Sequence, residues 1–346
     1  MAKKPEPIVR LAAQTARQIF ANSGNYMAFL TTAAHNYKYS FRDQLLIYAQ
    51  KPDATACAQT DFWNKHGRWV NKGTTGIALL VDTDKGYKLR HVFDMSDTNS
   101  RAGRTVPVWQ MRPQYEGAVV EALENSYGEF SDKSDFAACL LETAKIIVED
   151  NFGDYYADLC RIKEGSLLEE LDDLNTEVWF KGLLENSVAY IMLTRCGIDP
   201  QEYFSGEDFA RIYDFNTLKT LAILGAAASD IAEMPLREIA STVLPLYWEE
   251  EKQNRTFAGN PDRQYNDGRT KRERSVEHGA DIQNRGRLST AQPGRAGGPA
   301  GRKIWDAAAQ FPRQSPARDL HRDAVDRGTE RPSGEDRPGG HRDGGA

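Results

Sequence analysis

"GIALLVDTDKGYKLRHVFDM", residues 76–95, decides the fold class. Two runs rich in apolar residues, 76–82 and 87–95, flank the polar loop TDKG, which ends in a glycine. That pattern predicts a β-hairpin. Ile77, Leu79 and Val81 fall on one face of the first strand, Ala78 and Leu80 on the other. Both faces are apolar, so the strand is expected to be covered on both sides.

The flanking sequence is helical in pattern, which makes the chain α+β. Upstream, Ile8, Leu11, Ala12, Thr15 and Ile19 repeat near 3.6 residues and predict a helix from Glu6 to about Ala21. A second, short helix is expected from Tyr26 to Ala34. Ser40 suits the N-cap of a third, FRDQLLIYAQ, which Pro52 ends because it disfavours helix at Lys51. Residues 97–113 read as irregular, punctuated by Pro107 and Pro113. Helical spacing returns near 114–125, 134–149, 176–196 and 217–249. In TEVWFKGLLENSVAYIMLTRCG, Thr176 is the expected cap and Gly197 the stop. The last segment reads as two helices broken near Met234–Pro235. The expected organisation is a small α+β domain at 1–113, a helical domain at 114–250 and a tail at 251–346.

Charge and composition divide the chain at the same place. Beyond residue 250 there are 19 Lys+Arg against 14 Asp+Glu; before it, 25 against 36. The tail also holds 14 of the 28 glycines and 7 of the 15 prolines, with a single apolar island, KIWDAAAQF. Such a segment buries too little surface to offset its ordering entropy, so disorder is expected there. The acidic body argues against broad coating of duplex DNA, whose non-specific affinity comes from phosphate neutralisation. Any nucleic-acid site must be a local patch.

Several chemistries are not supported. Cys57, Cys139, Cys160 and Cys196 form no CxxC pair, which excludes a zinc ribbon on spacing and suits free thiols in a reducing cytoplasm. The chain lacks a phosphate-binding glycine loop, a G-x-S-x-G nucleophile elbow and an HExxH zinc motif. No apolar run approaches the ~18 residues of a membrane span. The N-terminus has no signal-peptide h-region, so a cytoplasmic protein without a membrane partner is expected. EGSLLEELDDLN, residues 164–175, reads as a solvated acidic helix face rather than a set of metal carboxylates.

What remains is an aromatic-basic cluster. Tyr37, Lys38, Tyr39, Arg42, Trp63, Lys65, Arg68, Trp69 and Lys72 interleave rings with cations. Single-strand binders combine a basic groove with aromatic faces for the bases. If 68–72 is extended, Arg68 and Lys72 point one way and Trp69 the other, into the core. Phosphate contacts are then expected from Lys38, Arg42, Lys65, Arg68 and Lys72. Base stacking is expected from Tyr37, Tyr39 or Trp63.

The run NYKYSFRDQLLIYAQKPDATACAQTDFWNKHGRWVNKGTTGIALL, followed by RHVFDMSDT, resembles the N-terminal region of ArdC-like antirestriction proteins. The likeness is greatest to the version that opens large helicase-methylase proteins of conjugative elements, and it spans about residues 20–250. It implies an N-terminal single-stranded-DNA-binding domain followed by a zincin-like domain. In the second domain, Glu142 lies at the glutamate position of the HExxH helix. Leu141 and Lys145 stand where its histidines belong, and Tyr190 where the downstream glutamate belongs. The resemblance therefore implies a relative without metal ligands, cofactor or enzymatic activity. Its expected partner is single-stranded DNA. Alternatively, it would inhibit a host restriction or CRISPR nuclease without DNA, with a helicase or methylase as a further partner.

Overall fold

The computed structural model describes residues 5–100 and 108–258. It is α+β, with a small antiparallel sheet set among helices. The N-terminal half has α1 (Glu6–Phe20), α2 (Ser23–His35), α3 (Phe41–Gln50) and the short α4 (Thr60–Lys65). Its strands are β1 (Cys57–Ala58), β2 (Trp69–Val70), β3 (Ile77–Thr83), β4 (Gly86–Asp94) and β5 (Thr98–Asn99). Then come α5 (Pro113–Tyr127), α6 (Phe136–Ile162), α7 (Asp173–Cys196) and α8 (Leu218–Ala258). Of the disordered tail expected at 251–346, residues 251–258 instead continue α8, and the rest lies outside the described residues, as does Pro107.

The hairpin forms in the expected place. β3 and β4 pair antiparallel, with Leu79 opposite Arg90 and Thr83 opposite Gly86. Asp84 and Lys85 make the turn, and Gly86 sits at a φ of 104°, where a side chain would be strained. β1 pairs with the far end of β4, giving the order β1-β4-β3; β2 and β5 form a separate two-stranded pair. Ile77 to Leu80 are buried on both faces, whereas Val81 is exposed.

The free edge of β3 is closed by side chains of α3. The Gln50 amide donates to the Ala78 carbonyl and accepts from the Ala78 N–H, both at 2.9 Å, as a neighbouring strand would. Arg42 donates to the Leu80 carbonyl at 3.1 Å. A paired edge offers no template for another chain. Asp43 meets Arg90 at 2.6 Å, which fixes α3 to β4.

Some boundaries differ from the expected ones. Ser40 caps α3 and Gly197 ends α7 in the left-handed conformation, as the residue types demand. The cap of α7 is Asp172 rather than Thr176, which lies buried inside the helix with its hydroxyl on the Asp172 carbonyl. Pro113 begins α5, where a missing N–H costs nothing. Thr98 and Asn99 form β5 instead of irregular chain. α8 is continuous through Pro235, so the expected break at Met234–Pro235 is absent. Its buried face, including Ile231, Leu236 and Ile239, packs against α5, α6 and α7 and overrides the proline's local cost.

Residues 1–113 and 114–250 both contribute to one hydrophobic core, which joins Leu30, Leu46 and Ile77 to Leu140, Leu184 and Ile231. At Gly225 of α8 a β-carbon would lie 2.2 Å from the Phe41 ring, so glycine is what lets α3 rest on this helix. Tyr26 on α2 hydrogen-bonds Ser187 on α7 at 2.8 Å within this shared interior.

One buried carboxylate joins α6 to α8. Burial pushes Asp230 up to about 6, against a hydrogen bond from Tyr155 that lowers it, with Glu233 adding to the rise. Folded Asp230 thus holds its proton more tightly than the unfolded chain does. Its contribution is complete below about pH 4 and is lost as pH rises through about 6. Asp230→Asn keeps an acceptor for Tyr155 without the buried charge. It is expected to raise stability at pH 7.5 by up to about 3 kcal/mol, with the gain vanishing near pH 4. Urea unfolding of both proteins across that range is the check.

Candidate nucleic-acid interface

The cluster residues are carried on loops tied together by hydrogen bonds. Asn36, at the end of α2, donates to the Ala54 carbonyl at 3.0 Å. Tyr39 donates to the Cys57 carbonyl at 2.7 Å. Lys51 bonds Asp97 at 2.9 Å and Ser96 at 2.8 Å. Asp94 is the hub. One carboxylate oxygen accepts from the N–H groups of Thr55 (2.7 Å) and Ala56 (2.9 Å), the other from that of Ser96 (2.8 Å). Burial would raise its pKa, but the hydrogen bonds from Ala56, Ser96 and Thr55 outweigh this and hold it below the usual carboxylate range.

Trp63 lies inside this network and corrects the expectation that it stacks on a base. It is 1% exposed, and its indole N–H is shared between the carbonyls of Ala58 (3.1 Å) and Phe93 (3.0 Å). Trp69, expected in the core, is 49% exposed. The physical reason is α4. Residues 60–65 are helical, so Phe62 and Trp63 project about 100° apart, Trp63 inward and Phe62 outward at 42% exposure.

The expected extension of 68–72 also stops short. β2 ends at Val70, and the chain turns at Lys72–Gly73 with Asn71 bonded to the Asp97 carbonyl at 2.9 Å. Alternation therefore does not carry Arg68 and Lys72 to one side. Arg68 is half-buried and donates to the Thr98 hydroxyl at 2.8 Å and the Thr98 carbonyl at 2.9 Å, which makes it a brace for β5. Arg42 is engaged by Asp82 at 3.0 Å.

Tyr37 is buried, its hydroxyl accepting from the Trp109 indole at 3.1 Å. Tyr39 is half-buried; burial first, then Cys57, pushes its phenol up. Lys38, Lys65 and Lys72 remain exposed and make no ion pair among the described residues. Lys38 lies 5.6 Å from the centre of the Tyr37 ring. Phe62, Lys65 and His66 fall at i, i+3 and i+4 along α4, and exposed Trp69 and Lys72 follow on β2 and in the turn after it. His66 is held against Phe62, with ring centres 4.2 Å apart and its Nδ1 2.8 Å from the Phe62 carbonyl. Phe62 and His66 escaped the sequence reading, although their four-residue spacing was a helix signal.

Glu142 on α6 accepts from the Ser131 N–H at 3.0 Å and its hydroxyl at 3.1 Å. Tyr190 is buried beside Phe204 and Phe209, its hydroxyl 3.2 Å from Thr31. Among the described residues, no three His, Cys, Asp or Glu side chains are grouped to hold a metal ion, and no helix is long and apolar enough to cross a membrane. Burial pushes the thiols of Cys57 and Cys196 up to about 12, so both stay protonated at neutral pH. No family model, curated protein or solved structure matches this chain.

Proposed function

We propose that this chain is a non-enzymatic single-stranded-DNA-binding module of a mobile genetic element, akin to antirestriction proteins. The observation that carries the binding part is the surface of α4 and β2. There the exposed rings of Phe62 and Trp69 accompany the unpaired cations Lys65 and Lys72. Aromatic faces take bases of any sequence, and flanking lysines take phosphates. The ordered motifs RWVNKG and VFDMSDT support the antirestriction part. On this reading Lys38, Lys65 and Lys72 contact phosphates and Phe62 and Trp69 stack. Arg42, Arg68 and Trp63 hold the surface in shape. Cytoplasmic localisation belongs to the same proposal.

Fluorescence anisotropy with labelled oligo-dT tests it. Affinity should fall steeply with salt, by a logarithmic slope of about 0.7 for each phosphate contacted. Lys65→Ala with Lys72→Ala should flatten that slope by about 1.4. Trp69→Ala should weaken binding by about 1–3 kcal/mol. Salt-independent binding, or none, overturns the proposal.

A second reading has its own observation. Leu174 and Val178, one turn apart on α7, are 71% and 57% exposed beside Asp172, Asp173 and Glu177. An apolar pair in an acidic surround suits a basic protein surface, as an inhibitor of a host restriction or CRISPR nuclease would require. Co-purification with such a nuclease after DNA removal, lost in Leu174→Glu, favours this reading over the first.

A further inference from the structure

Arg195 is a buried charge that nothing above explains. It lies in the last turn of α7 at 9% exposure. Its guanidinium is 3.5 Å from the ring centre of Trp109 and 5.8 Å from that of Tyr37. Nη2 donates to the Trp109 carbonyl at 2.8 Å. Among the described residues no carboxylate is within ion-pair distance of it. The segment that leads into Trp109, RAGRTVP at 101–107, contains no Asp or Glu.

A buried guanidinium without a counter-ion is costly, and a ring face with one carbonyl offsets only part of that cost. Burial lowers the pKa of Arg195. Among the described residues Nη2 alone of its nitrogens has an acceptor. Lys38, exposed and without an ion pair, approaches the same Tyr37 ring at 5.6 Å. His35, two residues before Tyr37, is held below its ordinary pKa by burial and by the field of Arg195. Two cations therefore share one ring in a body that is otherwise acidic. The planar fork of an arginine matches a phosphate, and a lysine adds a mobile point charge.

We infer that Arg195 and Lys38 form an anion subsite around Tyr37 that takes a phosphate group of the bound strand. This rests on the single-strand reading above, and it draws a residue of the helical half into the interface. An Arg195 of purely architectural use would pin Trp109 to α7 and leave anion binding indifferent to Lys38.

The test is calorimetric titration of the full chain with pyrophosphate, beside oligo-dT anisotropy, on wild type, Lys38→Ala, Arg195→Lys and Arg195→Met. Pyrophosphate should bind the wild type at one site, weaken about tenfold or more in Lys38→Ala and be lost in Arg195→Met. Arg195→Lys should retain part of the affinity. Lys38→Ala should also flatten the oligo-dT salt slope by about 0.7. Should Arg195→Met fail to fold, Lys38→Ala and Lys38→Glu decide, because that side chain is exposed. Oligo-dT binding that depends on Lys65 and Lys72 but ignores Lys38 overturns the subsite and leaves the single-strand reading standing. Lys38-dependent pyrophosphate binding without oligo-dT binding supports the subsite and overturns the strand as its source. Absence of both overturns both.

Discussion

Trp63→Ala is expected to destabilise the fold by about 3–5 kcal/mol, while Trp69→Ala costs less than about 1 kcal/mol. The two tryptophans are six residues apart and carry opposite roles. Trp63 is sealed, and its removal leaves a cavity under α4 as well as two carbonyls, those of Ala58 and Phe93, without their shared donor. Phe93 and Ala58 face each other in the β1–β4 pair, so the loss reaches the sheet directly. Trp69 is half-exposed on a two-residue strand, where little apolar surface is at stake. Trp63→Phe separates the contributions, since it keeps most of the packing and drops the N–H. Urea midpoints of the three variants provide the measurement. Equal losses at positions 63 and 69 would show that burial is misassigned at this corner. Oligo-dT binding is expected to respond in the reverse order among variants that remain folded.

This inversion marks where the sequence stopped being legible. The first three helices, the hairpin and the glycine stop of α7 could be read because each rests on a local signal of period, cap or turn. The orientation of the tryptophans could not. It depends on whether residues 60–65 form one turn and a half of helix or an extended approach to β3, and a six-residue segment carries too little periodicity to decide. Arg68 was misjudged for a related reason. An arginine beside a strand looks solvated until β5, thirty residues later in the chain, supplies carbonyl acceptors. Arg195 was missed altogether, because a basic residue in the last turn of a helix is ordinary and only tertiary packing places rings around it. Pro235 failed as a stop signal because the packing along α8 outweighs one absent hydrogen bond. Within the stretch that carries the resemblance, Trp63, Arg68 and Asp94 hold the loops together through hydrogen bonds.

Asp94→Ala is the second substitution with a large expected effect, about 3–5 kcal/mol at pH 7. Three backbone N–H groups from two separate segments converge on this one carboxylate, and Lys51 lies 4.0 Å away. Alanine leaves all three donors without their acceptor, and their costs add less than linearly because they share one site. Asn, with a single carbonyl oxygen, should recover part of the loss. The pH dependence identifies the cause. Because the folded carboxyl is held below its ordinary pKa, its contribution is present above about pH 4 and is lost as pH falls through the folded value. The gap between wild type and Asp94→Ala should therefore be full at neutral pH and close in acid. Asp230 acts in the opposite direction, losing its contribution as pH rises through about 6. Between them the two carboxylates place the stability maximum of the wild type in weakly acidic solution. Asp230→Asn should extend that maximum toward neutral pH, and Asp94→Ala should remove its acid limb. A wild-type profile that is flat from pH 4 to pH 8 would contradict the Asp230 assignment, and one that shows no fall below pH 4 beyond that of Asp94→Ala would contradict the Asp94 assignment.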